Sequence, residues 1–256
     1  MKHTTLFKVL PVVVIALAVA GTALATHSWG GYHWARTSNP FTLKLGDNVA
    51  GVWDGYLATT AGDWSQSTVL DTTIIPGATK GNCQPTKGRV EVCNKAYGNN
   101  GWLGVAQIWV SGLHITQGTV KVNDTYFKTA AYNTPAWRNL VMCQEVGHTL
   151  GLDHQDENFD NANLGTCMDY TSNPSTNQHP NAHDYEELGI IYSHLDSFST
   201  LLAGTTGKNG ATLAGESENS PEYGTVLRRD GRGRPSLYGR DFGKGEKVFT
   251  FVTWAE

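Results

Sequence analysis

The chain has 256 residues, a formal net charge of −4 and 16% charged residues, against roughly 25% in ordinary soluble domains. That length accommodates one well-buried domain with appendages, or two small domains at most. The acidic balance argues against nucleic acid or an anionic membrane surface as a partner.

Met1 to Lys8 carries Lys2 and Lys8, Val9 to Ala20 is apolar apart from Pro11, and Ala23-Leu24-Ala25 is a small-residue cleavage site. This is the tripartite pattern of a secretory signal peptide cleaved after Ala25. The apolar run is too short to span comfortably as an anchor, and no later stretch is long enough to cross a bilayer. The mature chain loses Lys2 and Lys8, so its charge falls from −4 to about −6. The expectation is an extracellular, monomeric protein with no membrane partner after cleavage. Four cysteines in an exported chain suggest two disulfides among three connectivities. Cys83 and Cys93 are close enough to staple a short loop or hairpin, and Cys143 and Cys167 would then pair.

From Thr26 to Asn100 short β-like runs alternate with Gly, Asn and Asp turns, as in Val49 to Tyr56 and Ser67 to Ile75. Ala106 to Val110 and Thr119 to Val122 continue the pattern, and Lys121 between Val120 and Val122 gives the period of two of a half-buried strand. The character changes at Asn133-Thr134-Pro135, where Thr134 can cap a helix and Pro135 can occupy its first position. The helix is expected over 135–150, with Gly151 taking the left-handed conformation that ends it. An Asp- and Asn-rich loop follows from Gln155 to Gly165, then a second helix from Ala182 to His194 with Leu188, Ile191, Tyr192 and Leu195 on one stripe. Residues 202–220 turn to Gly, Ser, Thr, Asn and Glu, the composition of a flexible linker. Glu222 to Glu256 is basic in its middle (Arg228, Arg229, Arg232, Arg234) and ends in one strand-like run, Lys247 to Trp254. It is too short for a core of its own, so it docks or stays mobile, and such a basic run is most often a solvated loop. The organisation expected is a signal peptide over 1–25, one domain over 26–200, and a linker with a short extension over 201–256.

Residues 144–154 carry the chemistry: Gln-Glu-Val-Gly-His-Thr-Leu-Gly-Leu-Asp-His. Positions 144 and 148 lie one turn apart on the same helix face, so two side chains there can grip one ion. Glu145 points to the neighbouring sector, where it can take a proton from a water that the metal activates and pass it to a leaving amine. Gly151 lets the chain turn so that His154 returns to the metal from outside the helix.

This stretch resembles the metzincin clan of zinc endopeptidases, its matrixin-like branch most closely, with Gln144 in place of the first ligand His of H-E-x-x-H-x-x-G-x-x-H. The resemblance covers about residues 100–196, with specific motifs only in 144–170. It implies metal ligands at His148 and His154, a general base at Glu145, the turn glycine at Gly151 and the family's methionine turn at Met168. A further acidic helix is implied over Asp184 to Leu195. The fold implied is α+β, a twisted mixed sheet covered by helices, with the active-site helix, the Met turn and a C-terminal helix. Substrate in such families adds as an extended strand to the sheet edge, for which Ala106 to Val110 or Thr119 to Val122 are the candidates. In that arrangement the active-site helix packs on the Met turn, so a Cys143–Cys167 bridge would tie them together. A matrixin-style cysteine-switch propeptide is absent, since no Cys lies between Ala25 and Cys83.

Gln144 departs from the pattern. Its amide oxygen is a neutral, weak donor, and zinc prefers nitrogen or sulfur. Gln144 can still ligate, or Tyr170 can complete the site, since astacin- and serralysin-type metzincins use a tyrosine two residues after the turn methionine. Otherwise the metal is lost and the fold serves binding alone. The function implied is thus a secreted zinc endopeptidase acting on a peptide or protein substrate. The alternative is a catalytically inactive pseudopeptidase acting as a secreted binding protein.

Other candidates carry less. His27 and His33 lie near the mature N-terminus and can in principle supply a missing ligand, whereas His114, His179, His183 and His194 read as surface or hydrogen-bonded residues. Asp156, Glu157, Asp160, Asn161 and Asn163 offer oxygens for calcium without the regular spacing of a calcium loop.

Overall fold

The computed structural model describes Met1 and residues 26–79, 82–201 and 222–256. The signal-peptide run and the 202–220 linker therefore lie outside the described residues. In chain order the elements are β1 (His33–Trp34), β2 (Phe41–Asn48), α1 (Trp53–Trp64), β3 (Leu70–Pro76), β4 (Val90–Lys95), β5 (Trp102–Ser111), β6 (His114–Asn123) and α2 (Asp124–Phe127). There follow α3 (Pro135–Thr149), α4 (Ala182–Ile191), β7 (Thr225–Arg229), β8 (Pro235–Gly243) and β9 (Glu246–Trp254). The class is α+β, built on one twisted, mixed sheet ordered β3-β2-β4-β6-β5-β9-β8-β7. Strands β3, β2, β4 and β6 run parallel, and everything from β5 to β7 is antiparallel to its neighbour. β1 pairs in parallel with the start of β6, His33 beside His114 and Trp34 beside Ile115.

Helix α3 forms where the sequence calls for it: the Thr134 side chain accepts a hydrogen bond from the Trp137 amide, and Pro135 fills the first turn. It packs against β5, β6 and β9, while α1 packs against α3 and β3. The main core gathers Trp64 of α1, Val141 and Val146 of α3, Leu188 of α4, Val120 of β6 and Phe251 of β9. A second, smaller cluster joins Trp102, Val105, Tyr223, Tyr238 and Val252, so β5 is covered on both faces. Among the described residues no helix is long and apolar enough to cross a membrane.

Three expectations are corrected. Val49 to Tyr56 is not a strand: Trp53, Leu57, Ala61 and Trp64 are buried at helical spacing, and the chain forms α1. Helix α4 begins at Ala182, fixed by a capping box between Asn181 and Asp184, but ends at Ile191, which leaves Leu195 56% exposed and off the apolar stripe. Neither Ala106 to Val110 nor Thr119 to Val122 is an edge, because β6 lies between β4 and β5, and β5 lies between β6 and β9.

The C-terminal extension is three strands of the same sheet. The expected strand is β9, paired with β5 from Trp102 to Ser111. Its inward residues Val248, Phe249, Phe251 and Val252 are at most 5% exposed. Three arginines of the basic run are spent on specific acids, Arg228 on Asp153 and Glu157, Arg232 on Glu256 and Arg234 on Asp230, and Arg229 donates to the Gly233 carbonyl.

Candidate metal centre

The residues singled out by the motif come together. Gln144, Glu145 and His148 are presented by α3 and are fully buried, and His154 and Tyr170 are 8% and 5% exposed. The reversal that brings His154 back depends on Gly151, whose φ is +95° and where a Cβ would fall 2.3 Å from the Tyr32 carbonyl oxygen.

The two imidazoles are pre-oriented. His148 Nδ1 lies 3.0 Å from the Leu152 carbonyl oxygen, and His154 Nδ1 lies 3.2 Å from Glu157 Oε1. Each acceptor fixes the proton on Nδ1 and leaves Nε2 bare. Those two Nε2 atoms face each other at 3.0 Å. Burial holds both rings neutral, with His154 lowered to about 3 and His148 well below the ordinary imidazole value.

Around this pair are polar groups without partners. The Glu145 carboxylate makes no hydrogen bond of good geometry, and Gln144 Nε2 and the Tyr170 hydroxyl make none either. Burial pushes Glu145 up to about 8, and the nearby Thr253 hydroxyl and Ala106 amide offset only part of that. The same cause pushes Tyr170 well above its usual range. Orphaned buried polar atoms are rare in folded proteins, and four in one place mark an incomplete site. The donor set there, two bare imidazole nitrogens with an amide and a phenol at hand, fits a zinc ion.

The turn that carries Met168 lies against α3. A Cβ on Gly147 would fall 2.6 Å from Met168 Sδ and 2.8 Å from the Trp64 ring, so only glycine lets α3 sit on that sulfur. Gly147→Ala is therefore expected to cost about 1–3 kcal/mol by overpacking, read as a lowered urea midpoint at unchanged slope. The bridge Cys143–Cys167 ties α3 to the same turn, and Cys83–Cys93 pins the segment ahead of β4 onto that strand across a sequence separation of 10.

Strand β9 contributes what the motif does not announce. The Phe251 ring stacks on His148, with centroids 4.2 Å apart and planes 8° from parallel. Thr253 Oγ1 donates to Gln144 Oε1 at 2.7 Å, so the oxygen that would serve as the third ligand is engaged. On β7, Arg228 holds both Asp153 oxygens (2.5 and 2.6 Å) and Glu157 Oε1 (2.8 Å), against the back of His154. Beside Gln144, Tyr170 and Thr253 there remains a cavity of about 10 Å³, space for one water at most. Phe251, Thr253, Asp153 and Arg228 were not foreseen, and their only sequence signals are the alternation along β9 and the basic run before it.

The remaining candidates are placed elsewhere. His27 Nε2 donates to Asp184 Oδ1 (3.1 Å) and supplies nothing to the pair. His179 bonds Asp63, and His183 lies 3.9 Å from Glu186. His33, His114 and His194 converge around Asp196, away from the motif residues. The acidic loop does not gather for calcium: Asp156 accepts from the Asn158 amide and from Asn161, Asn163 Oδ1 accepts from Thr171, and Glu157 is taken by His154 and Arg228.

No family model matches the chain, and no curated protein matches it. Among solved structures it is similar to high choriolytic enzyme 1, a hatching enzyme zinc-protease from Oryzias latipes (medaka fish). The identity is 10% and the TM-score 0.36, over 64% of this chain and 96% of that one. It is also similar to myroilysin, at 12% identity and a TM-score of 0.36, over 62% of this chain and 82% of that one.

Proposed function

We propose that the mature chain is a secreted zinc metallopeptidase of the metzincin type, held closed by its own C-terminal strands. The observation that supports this most is the facing pair of bare nitrogens, His148 Nε2 and His154 Nε2, 3.0 Å apart with both Nδ1 atoms tied behind them. Two neutral imidazoles turned this way repel each other unless a cation lies between them. Zinc binds histidine nitrogen at about 2.0–2.1 Å, which puts two nitrogens of one tetrahedral ion roughly 3.3 Å apart, close to the spacing found. Gln144 and Tyr170 are the further ligands within the same buried set.

Zinc held there would supply the Lewis acid that activates a water for attack on a peptide carbonyl. Glu145 accepts the proton of that water and delivers it to the amine that leaves. Burial raises this carboxyl above its ordinary range in the metal-free protein, and a bound cation would draw it back towards the charged form that accepts a proton. Thr253 holds the Gln144 oxygen and Phe251 covers the His148 ring, so displacement of β9 both opens the cleft and frees a ligand. β9 also fills the antiparallel position beside β5 that an extended peptide would take. That same occupancy favours a second reading, a non-catalytic secreted binding protein that kept the fold.

Metal analysis by mass spectrometry on the mature, disulfide-intact protein separates these. The His148→Ala variant is expected to hold one zinc fewer per chain than its parent. A peptide library is expected to stay intact with the parent chain and to be cleaved by the variant Phe251→Ala/Thr253→Ala, which keeps the β9–β5 pairing but uncovers His148 and releases the Gln144 oxygen. Zinc without cleavage in either form leaves the binding protein, and equal zinc in parent and variant sinks the peptidase reading.

A further inference from the structure

The fold gathers a second set of metal donors far from the motif in sequence. His33 and His114 stand side by side because β1 pairs with the start of β6 in that register. Asp196 reaches them from the segment after α4, and its position is over-determined. Its amide donates to the Arg36 carbonyl at 2.9 Å, and its Oδ2 accepts from the Arg36 amide and from Arg36 Nη1, both at 3.1 Å. Arg36 also donates to the His194 carbonyl. Oδ2 is thus saturated, and Oδ1 is turned towards the imidazoles.

The facing atoms are those a cation needs. His33 Nδ1 lies 2.9 Å from the Gly31 carbonyl oxygen, which fixes its proton there and leaves Nε2 bare. From Asp196 Oδ1 the distances are 3.2 Å to His114 Nε2, 3.5 Å to His33 Nε2 and 3.9 Å to His194 Nε2. His194 Nε2 and His33 Nε2 lie 3.2 Å apart, and the donor atoms of His33, His114 and Asp196 all fall within 4.8 Å of one another. A tetrahedral ion with ligands at about 2.0–2.2 Å has edges of roughly 3.3–3.6 Å, the middle of this range. The inner donors are covered, with His33 and Asp196 side chains 5% and 9% exposed, and the rim donors are accessible, with His114 at 26% and His194 at 52%. An ion therefore has an entry path on the His194 side and covered donors on the His33 and Asp196 side.

We propose that His33, His114, His194 and Asp196 form a divalent transition-metal site, of zinc type, separate from the His148–His154 centre. Three imidazole nitrogens and one carboxylate oxygen make a closed four-ligand set, the composition of a structural site. Its effect is to clip β1 and the chain after α4 onto the start of β6. The other carboxylate–histidine group, Asp153 with His154 and Glu157, is already neutralised by Arg228 and takes no second ion.

The test uses the mature full chain, stripped with chelator and titrated with Zn²⁺, and with Co²⁺ as a spectroscopic probe of tetrahedral nitrogen–oxygen ligation. His114→Ala/His194→Ala changes only rim residues and leaves the Asp196–Arg36 contacts intact. The double variant is expected to bind one metal fewer than the parent and to lose the part of the metal-induced rise in Tm that His148→Ala retains. His148→Ala is expected to keep one metal and its cobalt absorption. The proposal is overturned if the double variant binds as much metal as the parent, or if His148→Ala binds none. If the double variant binds one metal fewer than the parent and His148→Ala binds as much as the parent, this site stands and the motif centre is removed instead.

Discussion

Exchanging Glu145 for Gln in the opened protein is expected to lower peptide hydrolysis by about 10²- to 10⁴-fold, with zinc content unchanged. The amide keeps the shape of the side chain, which is packed so closely on β5 that a Cβ on Gly104 would fall 2.5 Å from Glu145 Oε1. It removes the ability to carry a proton and nothing else. Because Glu145 is not among the facing donors, metal should stay; zinc lost together with activity would mean that the carboxylate is a ligand and that the base is another group. The metal-free proteins should also differ in stability. A carboxyl whose folded pKa is raised to about 8 from 4.5 binds its proton more tightly in the folded state. It therefore costs nothing at low pH and destabilises progressively as pH rises from 4.5 through 8. The Gln variant escapes that cost, so its Tm should fall less than the parent's between pH 5 and 9. A group that weakens the fold where it would work is what a catalytic acid–base predicts.

Replacing Cys143 and Cys167 by Ala is expected to lower stability by about 3.5 kcal/mol, the loop-closure entropy of a ring spanning 24 residues. Both sulfurs are fully buried, so the lost packing adds to the entropic term. The bridge leaves α3 one residue before Gln144 and lands one residue before Met168, so its removal frees the helix and the turn on which the centre is built. Zinc affinity should fall with stability, because the donors must then be ordered by the metal itself. Urea unfolding under non-reducing conditions reads the first effect and competition with a chelating dye the second. A loss below 1 kcal/mol with zinc affinity intact would show that packing alone holds the centre.

Helix α3 was legible because every determinant is local: the Thr134 cap, Pro135, and candidate donors spaced by one turn from 144 to 148. The return of His154 was legible for the same reason, since Gly151 marks the reversal within the motif. Helix α1 is hidden in Val49 to Tyr56 because that run holds only Trp53 of the buried stripe, and Leu57, Ala61 and Trp64 complete the helical period beyond it. The place of β9 was illegible on different grounds. Alternation in Val248 to Thr253 announces a strand, yet nothing in it names β5 as its neighbour. A partner strand is chosen by the sheet and not by the segment. The cluster on Asp196 is the extreme case, four residues from three separate parts of the chain with no spacing to read.

The pairing of β9 with β5 joins residues 246–254 to residues 102–111, a separation of more than 130 positions. Pairings this distant form late, since the loop between them must close before any contact rewards it. Until residue 254 has been made, β5 offers ten residues with an open row of backbone donors and acceptors, nine of them destined for the interior. The vulnerable moment in the life of this protein is therefore its birth, when a nascent chain halted before Glu246 presents a long apolar edge to its neighbours. A chaperone that shields 102–111 during that interval would protect this edge until β9 arrives.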